Sequence, residues 1–403
     1  MSSNAAAGIA HQPLGRLFLR FLRFGLLAWG GPVAQIAMLR RSMVEEERWV
    51  SGEHFNRALA LYQVLPGPEA HELCVYFGML ARGRIGGVLA GLGFMLPGFL
   101  LMFALSWAYV SLGLDVHGEL AVLFAVVQAA VIALIVRAVH RIGRHVLLNA
   151  WLWTIAVVGA AAHFAGVHFA LILSGAGLVY LLLPASRVAA GACVVIAGFA
   201  TLFWHLTHPG NALIAASAAE GIASQSVSLA ALFWSGLKAG SLTFGGAYTV
   251  IPFLQRDAVS TGAWMSNAQF MDGIALTGLL PAPLVIFATF VGYVGGGPAG
   301  AAVMTIGVFL PAFALTLIAH QPMERLLHMS RVRIFLDGVT AGVVGLIGAT
   351  ALGLMLANIR EPLSGAVFLV ALAILFFWNH RFVIPIVIAG AAITGLAAIA
   401  TSH

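Results

Sequence analysis

The chain has 403 residues, of which 61% are hydrophobic and 8% charged, and its mean hydropathy is +1.00. A soluble globular chain carries about 25% charged residues, so this composition excludes a hydrated surface and makes a lipid bilayer the solvent. The formal charge of +6 does not indicate nucleic acid, because the cations lie in short clusters between apolar spans, as orientation signals do in membrane proteins. Cys74 and Cys193 sit in apolar stretches with neither metal-ligand spacing nor a disulfide framework, and no metal or cofactor is expected.

In chain order, an N-terminal tail (1–13) precedes an apolar run carrying Arg16, Arg20 and Arg23 at helical spacing, which ends at Trp29-Gly30-Gly31-Pro32. A secretory signal would place its charges first and a small-residue cleavage site last, so the segment reads as mature protein. Gly30-Gly31-Pro32 should interrupt a helix, since glycine and proline weaken one by about 1 and 3 kcal/mol. Pro66-Gly67-Pro68 is a second interruption, breaking one helix and starting the next, because proline suits a first helical turn. Segments 85–107, 118–136 and 147–165 then run with almost no charge over about 20 residues each, the length that crosses hydrocarbon.

An internal repeat organises the rest. At a shift of 215 positions Gly30-Gly31 meets Gly245-Gly246, Trp49 meets Trp264, Ser51 meets Ser266, and Pro66 and Pro68 meet Pro281 and Pro283. At a shift of 214, Gly78, Gly83, Gly86, Gly93 and Pro97 meet Gly292, Gly297, Gly300, Gly307 and Pro311. The first repeat spans 14–184 and the second 228–403, joined by a linker (185–227) with one spanning helix. Loop charge reverses between the repeats. Arg82 and Arg84, and the cluster Arg137, Arg141 and Arg144, have weakly charged counterparts, whereas the loop 108–117, which has no Lys or Arg, corresponds to one holding Arg325, Arg331 and Arg333. Because Lys and Arg favour cytoplasmic loops, the repeats should be inverted, as in secondary transporters. The expected fold is an all-α polytopic membrane protein of two homologous, inverted repeats with broken or re-entrant helices and about 10–13 membrane segments.

Paired interruptions in both halves point to a transport site, where half-helix N-termini bind anions. Arg23 and Lys238 each lie seven residues before a glycine pair, and Lys238 is the sequence's one lysine, set in an apolar segment. A cation inside a span is a functional candidate. The expected anion site therefore comprises Arg23, Gly30, Gly31, Pro66, Gly67, Pro68, Lys238, Gly245, Gly246, Pro281 and Pro283. Glu69, His71 and Glu72 have the apolar counterparts Leu284, Ile286 and Phe287, and are the candidates for proton coupling. Arg57 and Asp272 occupy equivalent positions and are expected to pair across the interface. An enzyme is disfavoured, since His71-Glu72 lacks the second histidine of a zinc protease (position 75 is Val). A passive channel stays open as a rival.

At these residues the sequence resembles the chromate ion transporter family. The motifs are Trp-Gly-Gly-Pro (29–32), Leu-Pro-Gly-Pro-Glu-Ala (65–70), Leu-Pro-Gly-Phe (96–99), Thr-Phe-Gly-Gly (243–246) and Leu-Pro-Ala-Pro-Leu-Val (280–285). The resemblance implies export of chromate across the bacterial inner membrane, conferring chromate resistance, with sulfate as isosteric competitor. The implied partners are that small oxyanion and the lipid bilayer, without nucleic acid; a homodimer is left open. The family's second half usually has Pro-Gly-Pro where this chain has Pro281-Ala282-Pro283, a change expected to stiffen the break or alter selectivity.

Overall fold

The computed structural model describes residues 13–29, 31–63, 65–113, 120–184, 191, 227–244, 246–319, 329–378, 380 and 382–401. Gly30, Gly245, Cys193, Arg325 and nearly all of the expected spanning linker lie outside the described residues. Among those described, every regular element is helical. The first half contains α1 (Leu14–Leu26), α2 (Gly31–Arg40) continuing into a π-helical turn (Arg41–Glu46), and α3 (Gly52–Tyr62). It goes on through α4 (Glu69–Ser111), α5 (Leu120–Val146), α6 (Ala150–Phe164) and α7 (Phe169–Leu182). The second half opens with α8 (Leu229–Ser241), a 3-10 turn (Ala247–Thr249), α9 (Val250–Gln255) and a π-helical turn (Arg256–Thr261). It continues with α10 (Asn267–Gly278), a 3-10 turn (Leu284–Ile286), α11 (Phe287–Leu317), α12 (Ser330–Asn358), α13 (Pro362–Phe377) and α14 (Val383–Thr401).

The sequence repeat is reproduced down to backbone detail. Both π-helical turns fall at corresponding positions. Ser51 and Ser266 cap α3 and α10 by accepting from the N–H of His54 and Gln269. Beyond each π turn stands a non-glycine residue of positive φ, Arg48 at 52° and Ala263 at 50°. The long helices α4 and α11 both fold back, at Arg82-Gly83 and Gly296-Gly297, with φ of 62° and 61° at the second residue. The fold-back needs glycine on both sides of the crease. A Cβ at Gly78 would strike the Gly86 carbonyl, and one at Gly292 the Gly300 carbonyl.

The broken segments are hairpins. Helix α1 has 13 residues, about 20 Å at the helical rise, which falls short of the roughly 30 Å of hydrocarbon. Its Arg20 pairs with Glu47, beyond the end of α2, so the chain turns back between α1 and α2. In the second half Lys238 of α8 likewise meets Asp257. Helix α3 packs against the first arm of α4, with His54 hydrogen-bonded to Tyr76 at 2.7 Å and Phe55 stacked on Phe77 at 5.7 Å. Among the described residues, the stretches long and apolar enough to cross a membrane are Glu69–Ser111, Val122–Val146, Leu284–Leu317, Ser330–Asn358 and Val383–Ala400.

The two halves interlock reciprocally. Helices α6 and α7 pack on α12, and their counterparts α13 and α14 pack on α5. This is the contact pattern of an isologous interface within one chain. The same reciprocity resolves the Pro281-Ala282-Pro283 substitution. Gly67 packs against the Cβ of Ala312, and Gly98, the repeat partner of Ala312, packs against the Cβ of Ala282. Each Pro-x-Pro turn thus meets the opposite repeat through one glycine and one alanine, and the glycine missing from position 282 stands across the interface at 98.

A Cβ at Gly98 would lie 2.6 Å from that of Ala282. Gly98→Ala should therefore destabilise by about 1–3 kcal/mol, the usual cost of overpacking, and Ala282→Gly in the same chain should recover most of it. Thermal unfolding of the detergent-solubilised variants measures both.

Candidate functional site

Breaking a helix frees the N–H groups of the next helix's first turn, and the structure brings one such turn to the wall of a cavity. The space, about 420 Å³, is lined by Gly31 and Ala34 at the start of α2, Arg137 and Arg141 of α5, Tyr248, and His380 ahead of α14. Gly31 takes a φ of 76°, a left-handed conformation that glycine adopts without strain. A smaller cavity shares Gly31, Leu134, Tyr248 and Ile384 with the first and continues to Trp29, Pro32 and Ala282. The cleft thus runs from the basic face of α5 to the tips of two hairpins, one from each repeat.

Arg137 and Arg141 stand one helical turn apart, so both project from one face of α5. They and Tyr248 are within electrostatic range of one another, and Arg141 is within range of Glu69. Two guanidinium groups, a phenol hydroxyl and a helix N-terminus facing one cavity make a site for a small anion.

The residues expected from sequence fall into three groups. Gly31 lines the cleft, whereas Gly30 and Gly245 lie outside the described residues. Gly246 (φ 127°) opens the 3-10 turn that carries Tyr248. Pro281 and Pro283 flank Ala282 at the cleft's inner end. The equivalent turn Pro66-Gly67-Pro68 lies against the other hairpin tip instead, where the Gly67 N–H donates to the Thr243 carbonyl at 2.8 Å.

The two cations chosen from sequence are placed elsewhere. Arg23 is on the exposed side of α1. Lys238 donates to Asp257 at 2.7 Å, Ser235 donates to the same carboxylate at 2.7 Å, and the ammonium lies 5.7 Å from the centre of the Phe169 ring. In the first half the Glu47 carboxylate plays the corresponding part, bound by Arg20, Ser42 and Trp49. Each cation–carboxylate–hydroxyl group pins the return arm of a hairpin to its first arm. The pairing expected between Arg57 and Asp272 does not form. Arg57 is exposed and bonded to Glu53 at 3.2 Å. Buried Asp272 accepts from Tyr109 at 2.8 Å and Gln128 at 3.0 Å, two neutral donors from α4 and α5 that solvate it.

Glu69, His71 and Glu72 are buried in the first turn of α4. The Glu72 carboxyl lies against Gly67, and neither of its oxygens has a hydrogen-bond partner among the described residues. The His71 ring is held edge-on by Phe309 and Phe313 at 4.9 and 4.7 Å.

Comparison with known proteins gives this arrangement a family. The chromate transporter family model matches residues 15–222 and 230–396, covering both repeats. The chain belongs to the chromate transporter family. A chromate transport protein of Pseudomonas aeruginosa is 55% identical over 94% of this chain and 91% of its own. A probable chromate transport protein of Synechococcus elongatus is 32% identical over 95% of both chains. One from Cupriavidus metallidurans is 31% identical over 99% of this chain and 98% of its own. No solved structure matches the chain. Family membership makes the protein a multi-pass membrane transporter, consistent with its apolar spans.

The Lys238–Asp257 pair yields a test of its own. Lys238→Met leaves a carboxylate that is only 13% exposed without its cation, which should cost about 1–3 kcal/mol, the penalty of stranding a partly buried polar group. Adding Asp257→Asn should restore most of the loss, as read by thermal unfolding of the single and double variants.

Proposed function

We propose that the chain exports chromate from the cytoplasm across the bacterial inner membrane by alternating access, and that this efflux confers chromate resistance. The substrate follows from family membership and from relatives that are called chromate transport proteins. The observation that carries the mechanism is the inequality of two pseudo-equivalent places. Between the α2 tip and the Pro281–Pro283 turn there is an open cleft. Between the Gly246 tip and the Pro66–Pro68 turn, the Gly67-to-Thr243 hydrogen bond joins backbone to backbone. Inverted repeats that exchange these two states open a central site to one side of the membrane and then the other.

In this reading the first repeat (14–184) and the second (228–403) are inverted by the single crossing of the linker (185–227). The arginine-rich end of α5 faces the cytoplasm, so the open cleft is the entry side for an exported anion. The glycine pairs and Pro-x-Pro turns line the path. Glu69, His71 and Glu72, present in one repeat only, supply the coupling chemistry, with the Glu72 carboxyl as the proton carrier beside the hinge glycine Gly67. Sulfate, of the same shape and charge, is the natural competitor.

Inverted vesicles should accumulate chromate under an imposed potential, positive inside, and excess sulfate should suppress the uptake. Absence of potential-dependent uptake overturns the substrate assignment. Glu72→Gln should flatten the pH dependence of uptake while leaving its substrate selectivity intact; an unaltered pH profile removes Glu72 from coupling.

A further inference from the structure

We propose that Arg137, Arg141 and Tyr248 form the anion-recognition site of this transporter, and that the site selects a tetrahedral dianion. The inference rests on the oxyanion-transport reading and names the residues that hold the cargo. Three observations carry it together. The arginines stand four residues apart, so their like charges share one face of α5. That face borders the cavity of about 420 Å³, which they line together with the first turn of α2. Tyr248 lines both this cavity and its extension toward the hairpin tips, so this residue stands where the two spaces meet.

Repelling charges one turn apart on an apolar span are costly, and an anion between them turns that repulsion into attraction. Guanidinium groups offer paired, planar N–H donors that match the edge of an oxyanion, and two of them match a charge of two. The cavity, about 420 Å³, leaves room for part of the anion's hydration shell. The site is not duplicated by the repeat. Positions 214 further on hold Ala351 and Met355, and the repeat counterpart of Tyr248 is Val33. One dianion per chain follows, rather than one per repeat.

The test is equilibrium binding of radiolabelled sulfate to the purified full-length protein, with chromate as competitor, beside chromate uptake into vesicles. Arg137→Gln and Arg141→Gln should each weaken sulfate binding by about ten- to a hundredfold, the value of a charge-assisted hydrogen bond. Arg→Lys at either position should recover part of the loss, and Tyr248→Phe should weaken binding severalfold. Arg57→Gln, on the exposed face of α3, should bind as the wild type does. In the unmutated protein, saturating sulfate should protect Arg137 and Arg141 from phenylglyoxal, as read by peptide mass spectrometry; equal modification with and without sulfate overturns the assignment. If wild-type vesicles take up chromate and both glutamine variants keep wild-type affinity, the recognition site falls and the transport reading stands. If wild-type protein neither binds sulfate nor takes up chromate, both fall.

Discussion

Backbone polar groups inside hydrocarbon must find partners within the protein, and the architecture follows from meeting that demand at each interruption. A hairpin whose first arm has only 13 residues is too short to cross the hydrocarbon and strands the N–H and C=O groups at its tip. The tips at Gly67, Thr243 and Ala282 are seated against the other repeat. The Gly67 N–H finds the Thr243 carbonyl, and Ala282 finds the bare backbone of Gly98. Small residues make the seating possible. Gly25 and Gly240, on the first arms, pass over the carbonyls of Phe94 and Val308 so closely that a Cβ at either would collide. Close packing of this kind is what holds helices together where lipid is as apolar as their side chains.

Symmetric scaffolding and asymmetric chemistry are separated in this chain. The π turns, caps, positive-φ residues and fold-backs recur in both repeats because they build the same hairpins twice. The charges that face the cleft occur once. Arg137, Arg141 and Tyr248 have the apolar counterparts Ala351, Met355 and Val33, and Glu69, His71 and Glu72 belong to the same repeat as the two arginines. One repeat carries most of the recognition and coupling groups, and the other supplies Tyr248 and the Ala282 turn that completes the cleft.

The sequence revealed the repeat and its interruptions because shared hydrophobicity alone does not put glycine and proline at matching positions twice. It left open whether the interruptions were hairpins or broken spans, since a local break does not say where the next arm goes. The cations show the limit most plainly. Lys238 stands in an apolar segment and reads as a buried site cation, but hairpin closure brings Asp257 to it from 19 residues away. Arg137 and Arg141 read as orientation charges beyond the end of a span. Helix α5 in fact continues to Val146, which keeps them on the helix face that borders the cleft. Composition alone could not decide between those positions; the length of the helix did. Asp272 is a similar case, because its donors Tyr109 and Gln128 are distant in sequence and neutral, with no charge pattern to betray them.

The central claim is that the cargo is held where hairpin tips from opposite repeats converge on the basic face of α5. A structure of the protein with tungstate, a strongly scattering tetrahedral dianion, tests it most directly. The account predicts density in the cleft bounded by Gly31, Arg137, Arg141 and Tyr248, within reach of both guanidinium groups. Density beside Lys238 or Arg23, with that cleft empty, would contradict it.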